Sequence, residues 1–238
     1  MTRRRWIADE YSPQTAALTG ANATHLARTL RARVGQEFDV ACGERVYRAT
    51  ISAVADDRVE FALGDEVMAS TAIAPIALLL AVFKFDRMEW AIEKCTELNV
   101  TSIVPVIARR TEKHLAQAAE KRVERWRRIA REAAQQSRRV VPPEIADPTK
   151  LGDALASDAA QRVVLAENET GATLSEVLRA QRAVGSLALA VGPEGGWAED
   201  ELQAFDGAHW ISASLGDTIL RAETAAIAAL AIARAELA

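Results

Sequence analysis

The stretch Gly192-Pro193-Glu194-Gly195-Gly196 separates two segments of different character. Before it lies an apolar run, Leu187 to Val191, of the kind found in a strand that is covered on both faces. After it lies a charged segment, Glu199 to Phe205, which we predict to be a helix. In open α/β sheets, ligands bind beyond the carboxyl ends of the strands. Residues 192–196 are therefore a candidate ligand loop, although a tight connection without a ligand would use the same glycines.

A second unusual stretch follows, Leu215-Gly216-Asp217-Thr218-Ile219-Leu220-Arg221-Ala222-Glu223-Thr224-Ala225. Arg221 is the only lysine or arginine between Arg182 and Arg234. One interpretation is a structural ion pair with Glu223 or Glu194. The other is a guanidinium fork that grips a phosphate or a base carbonyl. We predict that the two stretches form one ligand site.

The composition of the first stretch indicates what it binds. It contains neither of the two glycine patterns that cradle nucleotide phosphates. Glu194 and the acidic start of the following segment, Glu199 to Glu201, would repel a phosphate group. S-adenosylmethionine fits better, because it carries a sulfonium and an amino group and has no phosphate.

The bulk properties of the 238-residue chain exclude several classes of protein. No apolar run reaches the ~18 residues of a membrane span. Two distant cysteines, Cys42 and Cys95, fit a reducing cytoplasm and argue against a disulfide scaffold. The three histidines are scattered and show no metal-ligand spacing, so we expect no metal site.

The net charge of −4 hides a strong asymmetry along the chain. Residues 1–34 contain six arginines against two acids, and residues 109–139 contain eleven basic residues against four acids. Residues 140–238 contain six basic residues against fifteen acids. Because local charge decides which partners are attracted, an acidic protein can still present a basic face.

Residues 1–70 are predicted to form a small β-barrel. Three short strands, Glu37 to Ala41, Val46 to Ile51 and Arg58 to Leu63, are separated by turn signals. A helix is predicted between Asn22 and Val34, with Gly35 ending it.

Residues 71–238 are predicted to form an α/β domain with a mostly parallel sheet, because strands alternate with helices. Asp86 resembles a helix N-cap, with Glu89 three residues later. The predicted strands are Ile76 to Phe83, Ser102 to Ile107, Val163 to Ala166, Leu187 to Val191 and Trp210 to Ser212, and the other predicted helices are Glu120 to Arg139 and Ala222 to Leu237.

The two loops and three further stretches resemble the RsmE family, the 16S ribosomal RNA uridine-N3 methyltransferases of the SPOUT superfamily. The further stretches are Lys84-x-Asp86-Arg87-x-Glu89 with Glu93-Lys94-x-Thr96-Glu97-Leu98, Glu132-Ala133-Ala134-Gln135-Gln136-Ser137-Arg138-Arg139, and His25-Leu26-x-Arg28-x-Leu30-Arg31. They cover nearly the whole chain in the family's order. Asn99 departs from the family's glycine, but asparagine also tolerates the left-handed conformation that ends a helix.

The resemblance implies a C-terminal α/β knot, an N-terminal PUA-like barrel that helps bind RNA, a homodimer, and a cytoplasmic enzyme with no membrane attachment. The partner it implies is 16S rRNA in the small ribosomal subunit, and the cofactor is S-adenosylmethionine. The implied cofactor-binding residues are Ala166, Glu167, Val191, Gly192, Pro193, Glu194, Gly195, Gly196, Ser214, Leu215, Gly216, Ile219, Leu220, Arg221 and Thr224.

Two residues of the second loop are the catalytic candidates. N3 of uridine is protonated at neutral pH and must lose its proton before or during attack on the methyl group. Arg221 would stabilise the developing anion through a carbonyl oxygen, and Glu223 would orient Arg221. The general base stays open between Glu132, Gln136, a residue of the partner subunit and water.

RNA binding is expected from basic residues outside the two loops. For Lys121 to Arg131 a solvated helix face is an equal alternative, and Trp6 could stack on a base or plug the barrel. The candidate RNA-binding residues are Arg3, Arg4, Arg5, Arg28, Arg31, Arg109, Arg110, Arg138 and Arg139.

Two other functions compete with that of an RNA methyltransferase. One is a non-catalytic RNA-binding module, and the other is a small-molecule α/β enzyme, which would lack RNA affinity.

Overall fold

The computed structural model of the protein describes residues 5–67, 74–180 and 185–237. These residues fall into two compact units, Met1–Ala72 with Ala134–Pro142, and Ile73–Ala133 with Pro143–Ala238. The predicted boundary near residue 70 lies outside the described residues. No described helix is long and apolar enough to cross a membrane.

The first unit is built on a β-sheet. Within residues 5–67 the helical residues form a short α-helix followed directly by one π-helical turn, His25–Thr29. The strands and the helix are β1 (Trp6–Ile7), β2 (Glu10–Tyr11), β3 (Thr15–Thr19), α1 (Gly20–Thr24), β4 (Glu37–Cys42), β5 (Arg45–Val54) and β6 (Arg58–Val67).

The sheet of the first unit curls so that one segment meets both of its edges. Among the described residues its strand order is β1-β4-β5-β6-β3-β2. β1 pairs with β4 while β2, only two residues later, pairs with β3. Between them the Ala8 N–H donates to Ala41 and the Asp9 N–H donates to Ala17, each at 2.9 Å. One N-terminal segment therefore bridges the two ends of the sheet, as in a small barrel.

Trp6 lies in the core of the first unit, and only 1% of its surface is exposed. It packs with Leu18, Leu26 and Phe61, among others. The structure thus selects the barrel plug over base stacking for this side chain.

The predicted helix from Asn22 to Val34 is too long. The helical residues end at Thr29, and Arg31 has a left-handed backbone with φ of 52°. The Ala32 N–H returns to the Leu26 carbonyl at 3.1 Å, a contact typical of a helix C-terminus. Arg31 takes the terminating role that we had predicted for Gly35.

Strands and helices alternate along most of the second unit, except that α3 is followed by α4 and β9 by β10. Its elements are β7 (Ile76–Ala81), α2 (Phe85–Glu97), β8 (Ser102–Ile107), α3 (Lys113–Ala118), α4 (Val123–Gln136), β9 (Glu144–Ile145), β10 (Thr149–Lys150), α5 (Leu151–Ala154), β11 (Gln161–Leu165), α6 (Leu174–Ala180), β12 (Leu187–Val191), α7 (Glu199–Gly207), β13 (Ile211–Ala213) and α8 (Ala222–Glu236).

All described strand pairs of the second unit are parallel, which confirms the predicted α/β sheet. The order is β10-β8-β7-β12-β11-β13, and β9 also pairs with β8. The carboxyl ends of β12, β11 and β13 therefore lie side by side.

The apolar strand runs are explained by cover on both faces of this sheet. In β7, Ile76, Leu78 and Leu80 pack in the cluster that contains α2, α6 and α8. Leu79 and Ala81 face the opposite cluster, which includes Trp197, Phe205 and Trp210. Successive side chains point to opposite faces, so every residue of such a strand must be apolar.

Two predicted helix ends need correction, and one is confirmed. α2 begins at Phe85 after Lys84, whose carbonyl accepts the Met88 N–H at 2.9 Å, so Asp86 is a first-turn residue and not the N-cap. The predicted helix from Glu120 to Arg139 is a 3-10 turn (Glu120–Arg122) followed by α4. Asn99 does follow α2 in the left-handed conformation, with φ of 64°.

Candidate functional site

The two predicted loops lie together around one cavity of about 560 Å³. Its walls come from the residues that follow β12, β11 and β13, at the carboxyl ends of these strands. A cavity of this size, at this edge of a parallel sheet, is typical of a site for a small organic ligand.

The first loop depends on its glycines for its shape. The Gly196 N–H donates to the Pro193 carbonyl at 2.8 Å, and Gly196 has a left-handed φ of 68°. A Cβ on Gly192 would lie 3.3 Å from Nε1 of the buried Trp197. The loop therefore turns tightly and brings bare backbone to the cavity.

A buried carboxylate fixes the start of α7 behind this loop. Glu201 is 8% exposed and accepts the backbone N–H of Ala198 at 2.9 Å and that of Arg109 at 2.8 Å. These two hydrogen bonds compensate for burial of the charge. From the sequence alone, we expected Glu201 to act only by repelling a phosphate group.

Arg110 contacts the first loop from a segment that is remote in the chain. Its Nη1 donates to the Gly195 carbonyl at 2.6 Å, and the residue lines the cavity. Its neighbour Arg109 has a guanidinium 2.9 Å from Asp200. Both had been predicted to bind RNA, whereas in the structure they contact the segment 195–201.

The second loop is anchored to the start of α6. The Ser214 N–H donates to Ala172, and the Leu174 N–H donates to Ser214, each at 2.9 Å. Gly216 has φ of 112°, where side chains are strained. Arg221 is the N-cap residue of α8, is exposed, and lines the cavity.

Glu223 is placed differently from what we expected. Its carboxylate is 7% exposed and lies 3.5 Å from the guanidinium of Arg87, at the start of α2. We had expected Glu223 to orient Arg221. The sequence could not reveal the Arg87 partner, because the two residues are far apart in the chain and meet only when α2 packs on α8.

Most predicted cofactor-binding residues line the cavity. Thr224 does not: it is exposed in the first turn of α8, which carries it away from the cavity wall. The predicted cofactor-binding residues that line the cavity are Ala166, Glu167, Val191, Gly192, Pro193, Glu194, Gly195, Gly196, Ser214, Leu215, Gly216, Ile219, Leu220 and Arg221.

Several cavity residues were missed, including Leu165, Asn168, Trp197 and Leu202. More important are Arg87 and Arg110, which come from α2 and from the segment after β8. They change the charge of the site, because three guanidinium groups now accompany the acidic side chains. The only available signal for Arg87 was its place in the Lys84 to Glu89 motif.

The other predicted RNA-binding residues belong to the first unit. Arg3 and Arg4 lie outside the described residues. Arg28 lies 2.7 Å from Asp56, and its hydrogen bond lowers the pKa of that carboxyl. Arg31 is exposed. The Arg5 guanidinium donates to the Arg138 carbonyl at 2.5 Å, and the Arg139 N–H donates to Ala134 at 2.9 Å.

The two general-base candidates that belong to this chain, Glu132 and Gln136, do not line the cavity. Glu132 and Gln136 are both exposed on α4. In the described ranges no group of three or more His, Cys, Asp or Glu residues could hold a metal ion.

The cavity suits S-adenosylmethionine on two observations. Three glycines of the first loop, Gly192, Gly195 and Gly196, line the cavity, so a ligand can approach their backbone without meeting a side chain. The wall also mixes Glu167, Glu194 and Asp217 with arginines. A mixed lining fits a molecule that carries a sulfonium and an amino group together with a carboxylate.

The α/β fold and this cavity define the class of the protein, and comparison with known families agrees. Residues 70–234 match the RNA methyltransferase domain family. The chain is an RNA methyltransferase by family.

Similar sequences and structures identify the family within this class. The chain is 32% identical to ribosomal RNA small subunit methyltransferase E of Synechocystis sp., over 91% of this chain and 72% of that relative. It is 30% identical to the protein of the same name from Bacillus subtilis, over 91% and 88%. The enzyme of that name from Neisseria gonorrhoeae, solved with S-adenosyl methionine, superposes with a TM-score of 0.86 at 29% identity, over 96% of this chain and 95% of that chain. The chain belongs to the ribosomal RNA small subunit methyltransferase E family.

Proposed function

We propose that this protein methylates N3 of a uridine in 16S ribosomal RNA, in the decoding region of the small subunit, with S-adenosylmethionine as methyl donor. The observation that carries the proposal is the cavity formed by the loops 192–196 and 214–221 at the carboxyl ends of β12 and β13. The family supplies the reaction class, and the cavity supplies a place for the donor.

The residues of the chain have distinct tasks in this reaction. Residues 192–196 and 214–220 hold the donor, which when bound supplies the methyl group as its C–S bond breaks and N3 forms the new C–N bond. Arg221 lies on the same wall and is exposed, so it can approach a base that enters from solvent. Its charge would stabilise the uracil anion left when N3 loses its proton.

The finer features of the family complete the proposal. The second unit would be an α/β knot in which residues 214–221 belong to the threaded segment. The first unit would be a PUA-like barrel that assists RNA binding, which its closure by residues 6–11 supports. The proposed enzyme is a cytoplasmic homodimer. Sedimentation of the purified protein at micromolar concentration tests the dimer, and a monomer would contradict it.

Calorimetry with S-adenosylmethionine tests the first half of the function, and methylation of small ribosomal subunits with radiolabelled donor tests the second. We expect binding to the free protein and one modified base that maps to uridine N3. Arg221→Ala should reduce turnover about 10²-fold while donor binding persists. Arg179→Ala, which removes a surface arginine outside the cavity, is the matched control.

Each alternative gives a different result in these assays. RNA binding without methyl transfer would indicate a non-catalytic RNA-binding module. A methyl group on a ribose 2′-oxygen would show that the enzyme does not methylate N3 of the base. Absence of any RNA affinity would favour a small-molecule enzyme.

A further inference from the structure

The catalytic hypothesis assigns no task to Arg87, yet its place in the structure is specific. It lies in the first turn of α2 and lines the same cavity as Arg221. Its side chain is 33% exposed, so its guanidinium is partly withdrawn from water but still open to the cavity. Partial burial strengthens the interaction of a fixed charge with a ligand, because screening by solvent is reduced.

Glu223 forms an ion pair with the Arg87 guanidinium but does not itself line the cavity. Its carboxylate is almost fully buried in the first turn of α8 and lies 3.5 Å from Arg87 Nη1. Its second oxygen, Oε2, is buried and has no hydrogen-bond partner among the described residues. Glu223 is not on the cavity wall. Its contact with the site therefore passes through Arg87.

The ion pair between Arg87 and Glu223 leaves most N–H donors of the Arg87 guanidinium available to a ligand. An arginine side chain has five N–H donors, and the contact with Glu223 engages one nitrogen at a distance longer than a good hydrogen bond. Within the described part of the chain no hydrogen bond of the Arg87 guanidinium to another residue is found. Its remaining donors are free to meet a ligand in the cavity.

The chemistry of the substrate calls for more than one cation. When N3 of uracil loses its proton to water, the negative charge spreads over N3 and the two carbonyl oxygens on either side of it. Arg221 can neutralise one of these oxygens. A second guanidinium at the other oxygen would lower the cost of the anion further and would leave N3 free to form the new bond.

We propose that Arg87 is a second catalytic arginine that binds a carbonyl oxygen of the deprotonated uracil, and that Glu223 is the positioning residue that fixes it. This inference rests on the proposed function. It replaces the expected role of Glu223, which orients Arg87 and not Arg221.

The test compares Arg87→Met with the wild type on two substrates. One is the small subunit reconstituted with ordinary 16S rRNA, and the other is reconstituted with 5-fluorouridine-containing RNA. Fluorine withdraws electrons and makes N3 more acidic, so the anion needs less help from the protein. We expect a loss of turnover of about 10²-fold on the ordinary substrate. We expect a clearly smaller loss on the fluorinated one, with the donor dissociation constant unchanged.

Further variants separate catalysis from folding. Arg87→Lys keeps the charge but loses the planar fork, and we expect it to recover only part of the activity. Glu223→Gln should lower turnover about tenfold and shift the pH–rate profile towards alkaline pH, without weakening donor binding. Arg179→Met, at an ion pair with Glu236 outside the cavity, should change none of these quantities.

Three results would overturn the inference while the wild type remains active. They are full activity of Arg87→Met, an equal loss on both substrates, and a parallel loss of donor affinity, which would place Arg87 on the donor's carboxylate. If the wild type itself transfers no methyl group to either substrate, the proposed function fails and the inference fails with it.

Discussion

Gly196 shows how one residue can determine the shape of the first loop of the cavity. Its φ of 68° lies in the left-handed region, which costs an ordinary L-residue about 1–2 kcal/mol. A Cβ there would also lie 3.8 Å from the Glu167 carboxylate and 3.9 Å from Arg110. Contacts at that distance are ordinary, so the backbone conformation and not crowding requires glycine.

We therefore predict that Gly196→Ala lowers the free energy of unfolding by about 1 kcal/mol and weakens S-adenosylmethionine binding. Denaturant unfolding and calorimetry measure the two effects. Gly207→Ala is the matched control, because Gly207 ends α7 with open space around it and no positive φ. Equal stability of the two variants would show that the loop adapts to a side chain.

The two cysteines are predicted to be inert in the folded protein. Burial raises the pKa of the Cys42 thiol to about 11 and that of Cys95 to about 12. At pH 8 the fraction of Cys42 in the reactive thiolate form is then on the order of one in a thousand, and the fraction of Cys95 is smaller. A thiol reagent such as DTNB should label neither cysteine until denaturant is added, and then both. Rapid labelling of the native protein would contradict this.

At the scale of elements, the segment after β8 clamps the loop that follows β12. Arg110 donates to Gly195, and the Arg109 backbone donates to the buried Glu201 at the start of α7. The loop therefore depends on a segment that is remote in the chain.

Arg110→Ala should consequently weaken donor binding about tenfold, since a hydrogen bond to a charged group contributes about 1.5 kcal/mol or more. Its affinity for RNA should change little. The control is Arg109→Ala, which removes only an exposed ion pair with Asp200 and keeps the backbone contact. A loss of RNA affinity without loss of donor affinity would restore the RNA-binding interpretation of Arg110.

Two carboxylates, Glu236 on α8 and Glu176 on α6, make stability depend on pH. Arg179 and Ser175 hold the pKa of Glu236 below its ordinary value of 4.5, and hydrogen bonds from Thr173 lower the pKa of Glu176. Because the folded state has the lower pKa, this stabilisation is present above the unfolded pKa and is lost as pH falls through the folded one.

We predict that the melting temperature falls more steeply below about pH 4.5 in the wild type than in Glu236→Gln, which has already lost its charge. Thermal melts between pH 7 and pH 3 measure the difference. Asp153→Asn, on α5, serves as the control. Parallel curves for the wild type and Glu236→Gln would contradict the proposed cause.

For the molecule as a whole, we expect the affinity for RNA to fall as the salt concentration rises, unlike the affinity for the methyl donor. Each phosphate contact with single-stranded RNA contributes about 0.7 to the slope of log affinity against log salt concentration. Arg31 is exposed, whereas the charge of Arg28 is balanced by Asp56. Arg31→Ala should therefore reduce the slope by about 0.7, and Arg28→Ala should reduce it less. Donor binding should be insensitive to salt, and equal slopes for the two variants would exclude this distinction.

Much of the fold could be predicted because strand and helix signals are local. The runs Ser102–Ile107 and Leu187–Val191 were predicted with their observed bounds, since a strand covered on both faces must be apolar throughout. Short elements such as β9, β10 and α5 were missed. They contain too few residues for a periodic pattern, and it is pairing with β8 that orders the two strands.

The local sequence was enough to predict that residues 192–196 and 215–225 contribute to one site, because glycines, acidic residues and a lone arginine are read directly from the chain. The other charged groups at the cavity became known from tertiary packing alone. Arg87, Arg110 and Glu223 meet across long separations when α2, α8 and the segment after β8 pack at one edge of the sheet. Such contacts depend on packing geometry and leave no periodic trace in the sequence.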